Sequence, residues 1–259
     1  MKYININHNN KIGVITFNND IKRNALTYNM INEIIQAFDK FSNEDTRVII
    51  IKSKPEAKVW SAGLAINELP DPGNEPLGYS HPLEKLFRVI ENTKAPVIAM
   101  VTGSVWGGAF ELAITCDILV GTPKSSFAIT PAKIGVAYNA TGLIHFLNVV
   151  EMHIVKELFF TAKPIKAERA YNLGILNNIV EDDKIEAFTF DMAKSISQNS
   201  PLSISVIKEQ LNLLGKSTSL TTSVFEHINE LRSLSFNSYD YVEGKKAFLE
   251  KRSPVFKGE

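Results

Sequence analysis

The sequence predicts an α/β fold, and three observations carry that expectation. Two short, continuous apolar runs, residues 47–52 and 96–101, read as strands covered on both faces. Each leads through a turn of small residues into a helical pattern: Trp60-Ser61-Ala62-Gly63-Leu64-Ala65-Ile66 follows the first run and Gly103-Ser104-Val105-Trp106-Gly107-Gly108 the second. Alternation of strand and helix implies right-handed crossovers around an α/β core. The two units share one plan, so each could supply backbone donors to a common point.

In chain order, polar and apolar residues alternate over 3–7 and again over 11–17, a hairpin signature. Thr27 can cap a helix whose Met30, Ile31, Ile34, Ile35, Phe38 and Phe41 follow helical spacing. Strand 47–52 leads into the small-residue run and a helix-like 66–69, and 70–76, rich in proline and glycine, is a loop. Residues 82–93 form an amphipathic helix with Leu83, Leu86, Phe87 and Ile90 on one face. Strand 96–101, a glycine turn, a helix over 107–115 and short strands at 117–120 and 126–131 follow. Beyond Thr141 helices are expected at 143–150, 154–161, 166–173, 183–198, 201–214, 219–235 and 239–252, interrupted by one strand at 177–180. Pro201 suits the first turn of its helix. Val224, Ile228, Leu231 and Leu234 form an apolar stripe that must cover its own core or a partner subunit.

Bulk properties exclude several classes. The 259 residues are enough for a large core, and 44% hydrophobic with 22% charged residues argues against disorder. Lys and Arg balance Asp and Glu at 28 each, which points to neither nucleic acid nor an anionic membrane surface as a partner. A single cysteine, Cys116, excludes an intrachain disulfide framework and suits a reducing compartment; in its apolar setting it is expected to pack. The first ten residues carry no apolar signal core, and no apolar run approaches the ~18 residues of a membrane span. A soluble, cytoplasmic protein is expected.

The stretch Gly103-Ser104-Val105-Trp106-Gly107-Gly108-Ala109-Phe110-Glu111-Leu112 carries the chemical signal. Glycines sit where backbone bends sharply or approaches something closely, and the first N–H groups of a helix point into that space. It reads either as a backbone-donor site for an anion or developing oxyanion, or as tight helix–sheet packing; the glycines leave both open. Phosphate-loop, dinucleotide, nucleophile-elbow and H-E-x-x-H motifs are missing, as is any Cys/His cluster at metal spacing, so no metal is expected. His8, His81, His145, His153 and His227 are scattered and read as surface or packing residues. Asn139-Ala140-Thr141 matches a glycosylation acceptor that a chain without a secretion signal would not use.

Asn24-Ala25-Leu26, Ser61-Ala62-Gly63, the 103–112 stretch, residues 127–135 and the terminal Ala247-Phe248-Leu249-Glu250-Lys251-Arg252-x-Pro254 stand in a telling order and spacing. In them the chain resembles the crotonase (enoyl-CoA hydratase/isomerase) superfamily over nearly its whole length. The resemblance implies a spiral of ββα turns over 1–200 that carries an acyl-CoA site. It also implies a helical region over 201–259 that builds trimers, often paired into hexamers. The substrate would be an acyl-CoA thioester, with no cofactor beyond that CoA. Asn67-Glu68-Leu69-Pro70, Trp106, Thr130-Pro131, Tyr138-Asn139 and the stretch His153-Ile154-Val155-Lys156-Glu157-Leu158 are similar to the family's biotin-independent decarboxylating branch. That likeness implies loss of CO2 from methylmalonyl-CoA or malonyl-CoA through a thioester enolate.

The same resemblance distributes roles. The thioester oxygen would lie between the N–H groups of Leu64 and Gly108. Family hydration needs two carboxylates; Glu111 matches one, but Pro131 stands at the other position and cannot titrate, so hydration is not expected. Glu111 stays open between a catalytic role and simple helix-dipole compensation. Thr130 and Tyr138 match hydroxyls that hold the substrate carboxylate, with Trp106, Gly107 and Pro131 around the acyl pocket. Lys22, Arg23, Ala25, Ala62, Ala65 and Ile66 would meet CoA; Phe248 and Lys251 match residues that reach CoA, often from a neighbouring subunit. Where most relatives have Ala-Gly-x-Asp, this chain has Ala62-Gly63-Leu64-Ala65, and Leu64 stands where the decarboxylating branch has His. Two alternatives stand beside decarboxylation: another crotonase reaction (hydration, isomerisation or thioester hydrolysis), or a CoA-binding oligomer with a decayed site.

Overall fold

Val48–Lys52 (β3) and Val97–Val101 (β5) are buried along their whole length and pair in parallel, as continuous apolar strands must. The computed structural model describes residues 1–71, 77–215, 226–227, 230, 233–234 and 236–257. In it these two strands form the middle of a six-stranded sheet of order β1-β2-β3-β5-β7-β10. β1 (Ile4–Asn9) and β2 (Ile12–Phe17) are the expected antiparallel hairpin. β7 (Ile118–Gly121) and β10 (Asn178–Ile179) extend the sheet in parallel.

A second sheet, of order β4-β6-β8-β9, corrects the sequence expectation. Its strands are β4 (Val59–Ser61), β6 (Ser104–Trp106), β8 (Ser126–Ala128) and β9 (Ile165–Lys166). The expected glycine turn therefore contains a strand, the expected strand 126–131 ends at Ala128, and the helical half holds two short strands instead of one. Runs this short carry no readable periodicity; partners define them. The helix-like 66–69 is a single 3-10 turn, Ile66–Glu68, and Pro131 opens another, Pro131–Ile134.

Three successive units now show one plan. β3–β4, β5–β6 and β7–β8 each place one strand in each sheet and then turn into a helix or 3-10 turn. The helices are α1 (Tyr28–Ser42), α2 (Pro82–Asn92), α3 (Gly108–Thr115), α4 (Ala140–Leu147), α5 (Met152–Thr161), α6 (Ala167–Asn172), α7 (Ile185–Ser197), α8 (Pro201–Gly215) and α9 (Tyr239–Leu249). Thr27 caps α1 by accepting the Met30 N–H at 3.2 Å, and the six apolar residues spaced along that helix are buried. The main core lies among the sheets and α1–α6, while α7 closes the other face of the large sheet with Ile185 and Ala193.

Two C-terminal helices are moored to the rest of the fold by buried or half-buried polar contacts. Lys208 of α8 donates to Ile90 O at 3.0 Å and pairs with Asp117 at 2.7 Å. Tyr241 of α9 donates to Pro70 O, and Lys245 to Leu69 O at 3.2 Å. Most of the expected helix 219–235, with Val224, Ile228 and Leu231 of its stripe, lies outside the described residues, as do residues 72–76 of the loop; Leu234 is exposed. Among the described residues no helix is long and apolar enough to cross a membrane.

Candidate active site

The two small-residue turns meet. Gly63 and Gly107 follow β4 and β6, and both adopt positive φ, +83° and +53°, which a β-carbon disfavours. A β-carbon on Gly63 would strike the Trp106 carbonyl and lie 3.2 Å from the Gly108 nitrogen. One on Gly108 would lie 3.7 Å from the Leu64 nitrogen. The neighbouring amides are engaged: Gly63 N–H on Ser61 Oγ at 3.2 Å, Ala65 N–H on Leu26 O at 3.0 Å, Gly107 N–H on Ala128 O at 2.8 Å. The N–H groups of Leu64 and Gly108 have no hydrogen-bond partner among the described residues. Gly108 is also the first residue of α3, at the positive end of the helix dipole. Two neighbouring donors without partners among the described residues can receive an anionic oxygen.

A brace fixes this pair. Ser61 Oγ donates to Asn24 O at 2.7 Å, Asn24 Nδ2 to Trp60 O at 3.1 Å, and Leu26 N–H to Gly63 O at 2.8 Å. Arg23 and Asn24 bend the chain in left-handed conformations, φ +52° and +50°. Arg23 O accepts the Ala62 N–H at 2.9 Å and Leu26 O the Ala65 N–H at 3.0 Å, so the segment of Lys22, Arg23 and Ala25 joins the one that runs on to Ile66; the side chains of Lys22 and Arg23 are exposed. Phe248 and Lys251 lie at the outer end of α9, on the surface.

Beside the donors, Thr130 Oγ1 lies 4.0 Å from where Gly107 would carry a β-carbon and has no hydrogen-bond partner among the described residues. Trp106 is half-buried, its indole N–H on Ser104 Oγ at 2.9 Å, and Pro131 is buried.

Glu111, in the first turn of α3, is only 2% exposed and has both oxygens occupied. The Tyr138 hydroxyl donates to Oε2, and His145 Nδ1 meets Oε1 at 2.9 Å. The other ring nitrogen of His145 lies 3.3 Å from Glu91 Oε1. Asn139 donates to Glu84 and caps α4 by accepting the Gly142 N–H at 2.8 Å. A β-carbon on Gly142 would strike the Tyr138 ring and come within 2.8 Å of Glu111 Oε1. Burial and the Glu111 carboxylate push the Tyr138 hydroxyl well above its usual range, so it stays protonated. Burial alone would lower His145, but hydrogen bonds to Glu111 and Glu91 outweigh it and raise the imidazole to about 9.

Three residues or pairs gain defined partners here. Glu111, left open between catalysis and dipole compensation, has a hydrogen-bond partner on each oxygen. The Tyr138 hydroxyl, which the resemblance assigns to a substrate carboxylate, donates to Glu111 and keeps its proton, while the Thr130 hydroxyl has no hydrogen-bond partner among the described residues. His145 and His81 are satisfied packing residues with defined partners: His145 bridges two carboxylates, and His81 caps α2 by accepting the Leu83 N–H at 3.1 Å while its Nε2 meets Tyr28 Oη at 3.2 Å. Glu84 and Glu91 escaped notice because α2 reads as a plain amphipathic helix. Their seven-residue spacing beside the apolar stripe would have placed both near the buried face.

The family model described as enoyl-CoA hydratase/isomerase matches residues 7–259. The chain is 44% identical over 257 residues to methylmalonyl-CoA decarboxylase of Escherichia coli (strain K12), covering 99% of this chain and 98% of that protein. It is 28% identical to short-chain-enoyl-CoA hydratase of Clostridium acetobutylicum, covering 93% and 92%. Among solved structures, methylmalonyl-CoA decarboxylase complexed with 2S-carboxypropyl-CoA aligns with a TM-score of 0.98 at 44% identity, covering 100% of this chain and 99% of that one. The same enzyme in complex with 2-nitronate-propionyl-CoA aligns at 0.97 and 44% identity, covering 99% of each chain.

Proposed function

The chain belongs to the enoyl-CoA hydratase/isomerase family, and on that premise we propose that it decarboxylates methylmalonyl-CoA or malonyl-CoA through a thioester enolate. The observation that carries this is the 44% identity to a methylmalonyl-CoA decarboxylase across 99% of the chain. The site's chemistry fits. As the bond from Cα to the carboxylate breaks, CO2 leaves, the electron pair enters the thioester and negative charge gathers on the thioester oxygen; Cα then takes a proton from water. Preorganised N–H groups of Leu64 and Gly108, aimed at that oxygen, stabilise the transition state more than the ground state. The thioester itself accepts the electron pair, so the step calls for no group beyond the substrate's own CoA.

Thr130 is assigned to the departing carboxylate. A neutral hydroxyl orients it without the ion pair that would hold back CO2. Trp106, Gly107 and Pro131 surround the acyl end, and Tyr138 with Glu111 forms the wall behind it. Lys22, Arg23, Ala25, Ala62, Ala65 and Ile66 receive the CoA, joined by Phe248 and Lys251 from a neighbouring copy in a homotrimer or hexamer built by the 201–259 region. Leu64 keeps its backbone donor whatever its side chain. Our reading puts the reaction in the cytoplasm, supported by a lone, buried cysteine that suits a reducing compartment.

The test is incubation with methylmalonyl-CoA and with malonyl-CoA, followed by mass spectrometry. Release of CO2 with formation of propionyl-CoA or acetyl-CoA is expected, and crotonyl-CoA should stay unhydrated. No conversion of either malonyl thioester overturns the proposal.

A further inference from the structure

His145 sits between two carboxylates in a buried place, and that geometry fixes its form. Glu111 Oε1 faces its Nδ1 at 2.9 Å and Glu91 Oε1 its Nε2 at 3.3 Å. Ionised carboxylates only accept hydrogen bonds, so bridging both requires a proton on each ring nitrogen. A neutral ring would leave one buried carboxylate facing a lone pair, unless that carboxylate took up the proton itself. The groups facing the ring come from every side: Glu91 from α2, Glu111 from α3, and the Tyr138 hydroxyl from the segment before α4, acting through Glu111. Glu84 of α2 is joined to Asn139, the Phe87 ring meets the imidazole edge-on at 5.7 Å, and α5 buries only Val155, Leu158 and Phe159.

We propose that His145 is a positioning residue of this site: as an imidazolium bridging Glu91 and Glu111, it fixes Glu111 Oε1 while Oε2 takes the Tyr138 hydroxyl. Glu111 then keeps the Tyr138 hydroxyl turned away from the acyl end, leaving Thr130 to orient the substrate carboxylate. The inference rests on the proposed decarboxylation and adds what selects that reaction. Without the ring, Glu111 Oε1 would lose its partner and could turn to a water in the acyl pocket. The bridge holds that oxygen on the imidazole, so the acid in the first turn of α3 is kept from orienting a water.

The first readout needs no turnover. Nitrogen-15 NMR of the histidine-labelled protein at neutral pH should give His145 two protonated ring nitrogens; a neutral ring overturns the proposal. The second uses kinetics. His145→Gln should lower kcat on the order of tenfold, the effect of one hydrogen bond to a charged group, with KM changing much less. Glu111→Gln/His145→Gln should be no slower than Glu111→Gln alone, because His145 acts through Glu111; independent, multiplying losses overturn the proposal. The third is the pH profile. Wild-type kcat should fall on the alkaline side as the imidazolium is lost, near the value of about 9 to which its two carboxylates raise it. Glu91→Gln, which leaves the ring in place, should move that fall to lower pH. An unmoved profile overturns the proposal. A wild-type protein that converts neither malonyl thioester defeats the functional reading, while the NMR measurement still decides the bridge.

Discussion

A β-carbon on Gly63 would lie 3.2 Å from the amide nitrogen of Gly108, so the two donor turns touch through a residue that has no room for a side chain. Gly63→Ala would also force an L-residue to φ +83° and into the Trp106 carbonyl. The turns must separate, and the two donors with them. Loss of one such donor typically costs about 10²–10³ in rate. Turnover of the malonyl thioester should fall at least that far, with a lowered melting temperature. Activity within tenfold of wild type would show that the two amides do not act together.

Gly108→Ala isolates the pocket from the fold. Gly108 is helical, so alanine suits its backbone, and its methyl meets mainly the flexible Leu83 side chain, at 3.0 Å. The same methyl stands 3.7 Å from the Leu64 nitrogen, beside the space an enolate oxygen would occupy. Melting should change by a few degrees at most, while kcat falls roughly as far as in Gly63→Ala. Paired measurements of melting temperature and turnover on the two variants check this.

The two small-residue turns were legible in the sequence because they depend on backbone, though the glycines left packing and an anion site both open and only the resemblance named Leu64 and Gly108. A strand, a positive-φ glycine and a helix start leave a fixed trace, and the trace occurs twice, at Gly63 and Gly107. The second sheet was not legible, since strands of two or three residues such as β6 and β9 exist only through their partners. Nor was the Glu91–His145–Glu111–Tyr138 chain. Its members lie on α2, α4, α3 and a loop, and only tertiary packing brings His145 within 3.3 Å of Glu91, 54 positions earlier in the chain. The family resemblance placed Tyr138 at the site but could not say which acceptor its hydroxyl had chosen.

Lys208 tests whether α8 is moored independently of the chemistry. Its side chain is 7% exposed and its ammonium bonds Ile90 O, Ala95 O and Asp117, tying the helix to the end of α2 and the residues before β5 and β7. Lys208→Met removes one partner of a largely buried pair and strands Asp117, which typically costs about 3–5 kcal/mol. Chemical denaturation should report a loss near the low end of that range, because Asp117 keeps the Val97 N–H at 2.7 Å and some solvent contact. The kcat of the remaining folded protein should be unchanged.

The two engaged histidines should give stability opposite pH slopes. Burial depresses His81 to about 4, below the ~6.5 of an unfolded histidine. Its neutral ring stabilises the fold fully above ~6.5, and this is lost as pH falls toward 4, because the unfolded chain then binds more protons. His145 runs the other way. Despite burial, its two carboxylates raise it to about 9. Its stabilisation is complete below ~6.5 and is lost as pH rises to 9, because the folded chain then holds the extra proton. Thermal melts between pH 4 and 9 should therefore peak near 6.5 as far as these two groups govern. His81→Gln should flatten the acid side and His145→Gln the alkaline side, each leaving the other slope intact. The His81 effect also has a local target: its Nε2 holds Tyr28, whose hydroxyl donates to Glu68 O at 2.9 Å just beyond Leu64. Acid should therefore loosen the Leu64 turn before the rest of the fold, and the protection of the Ala65 and Glu68 amides from exchange should fall ahead of that in β3 and β5.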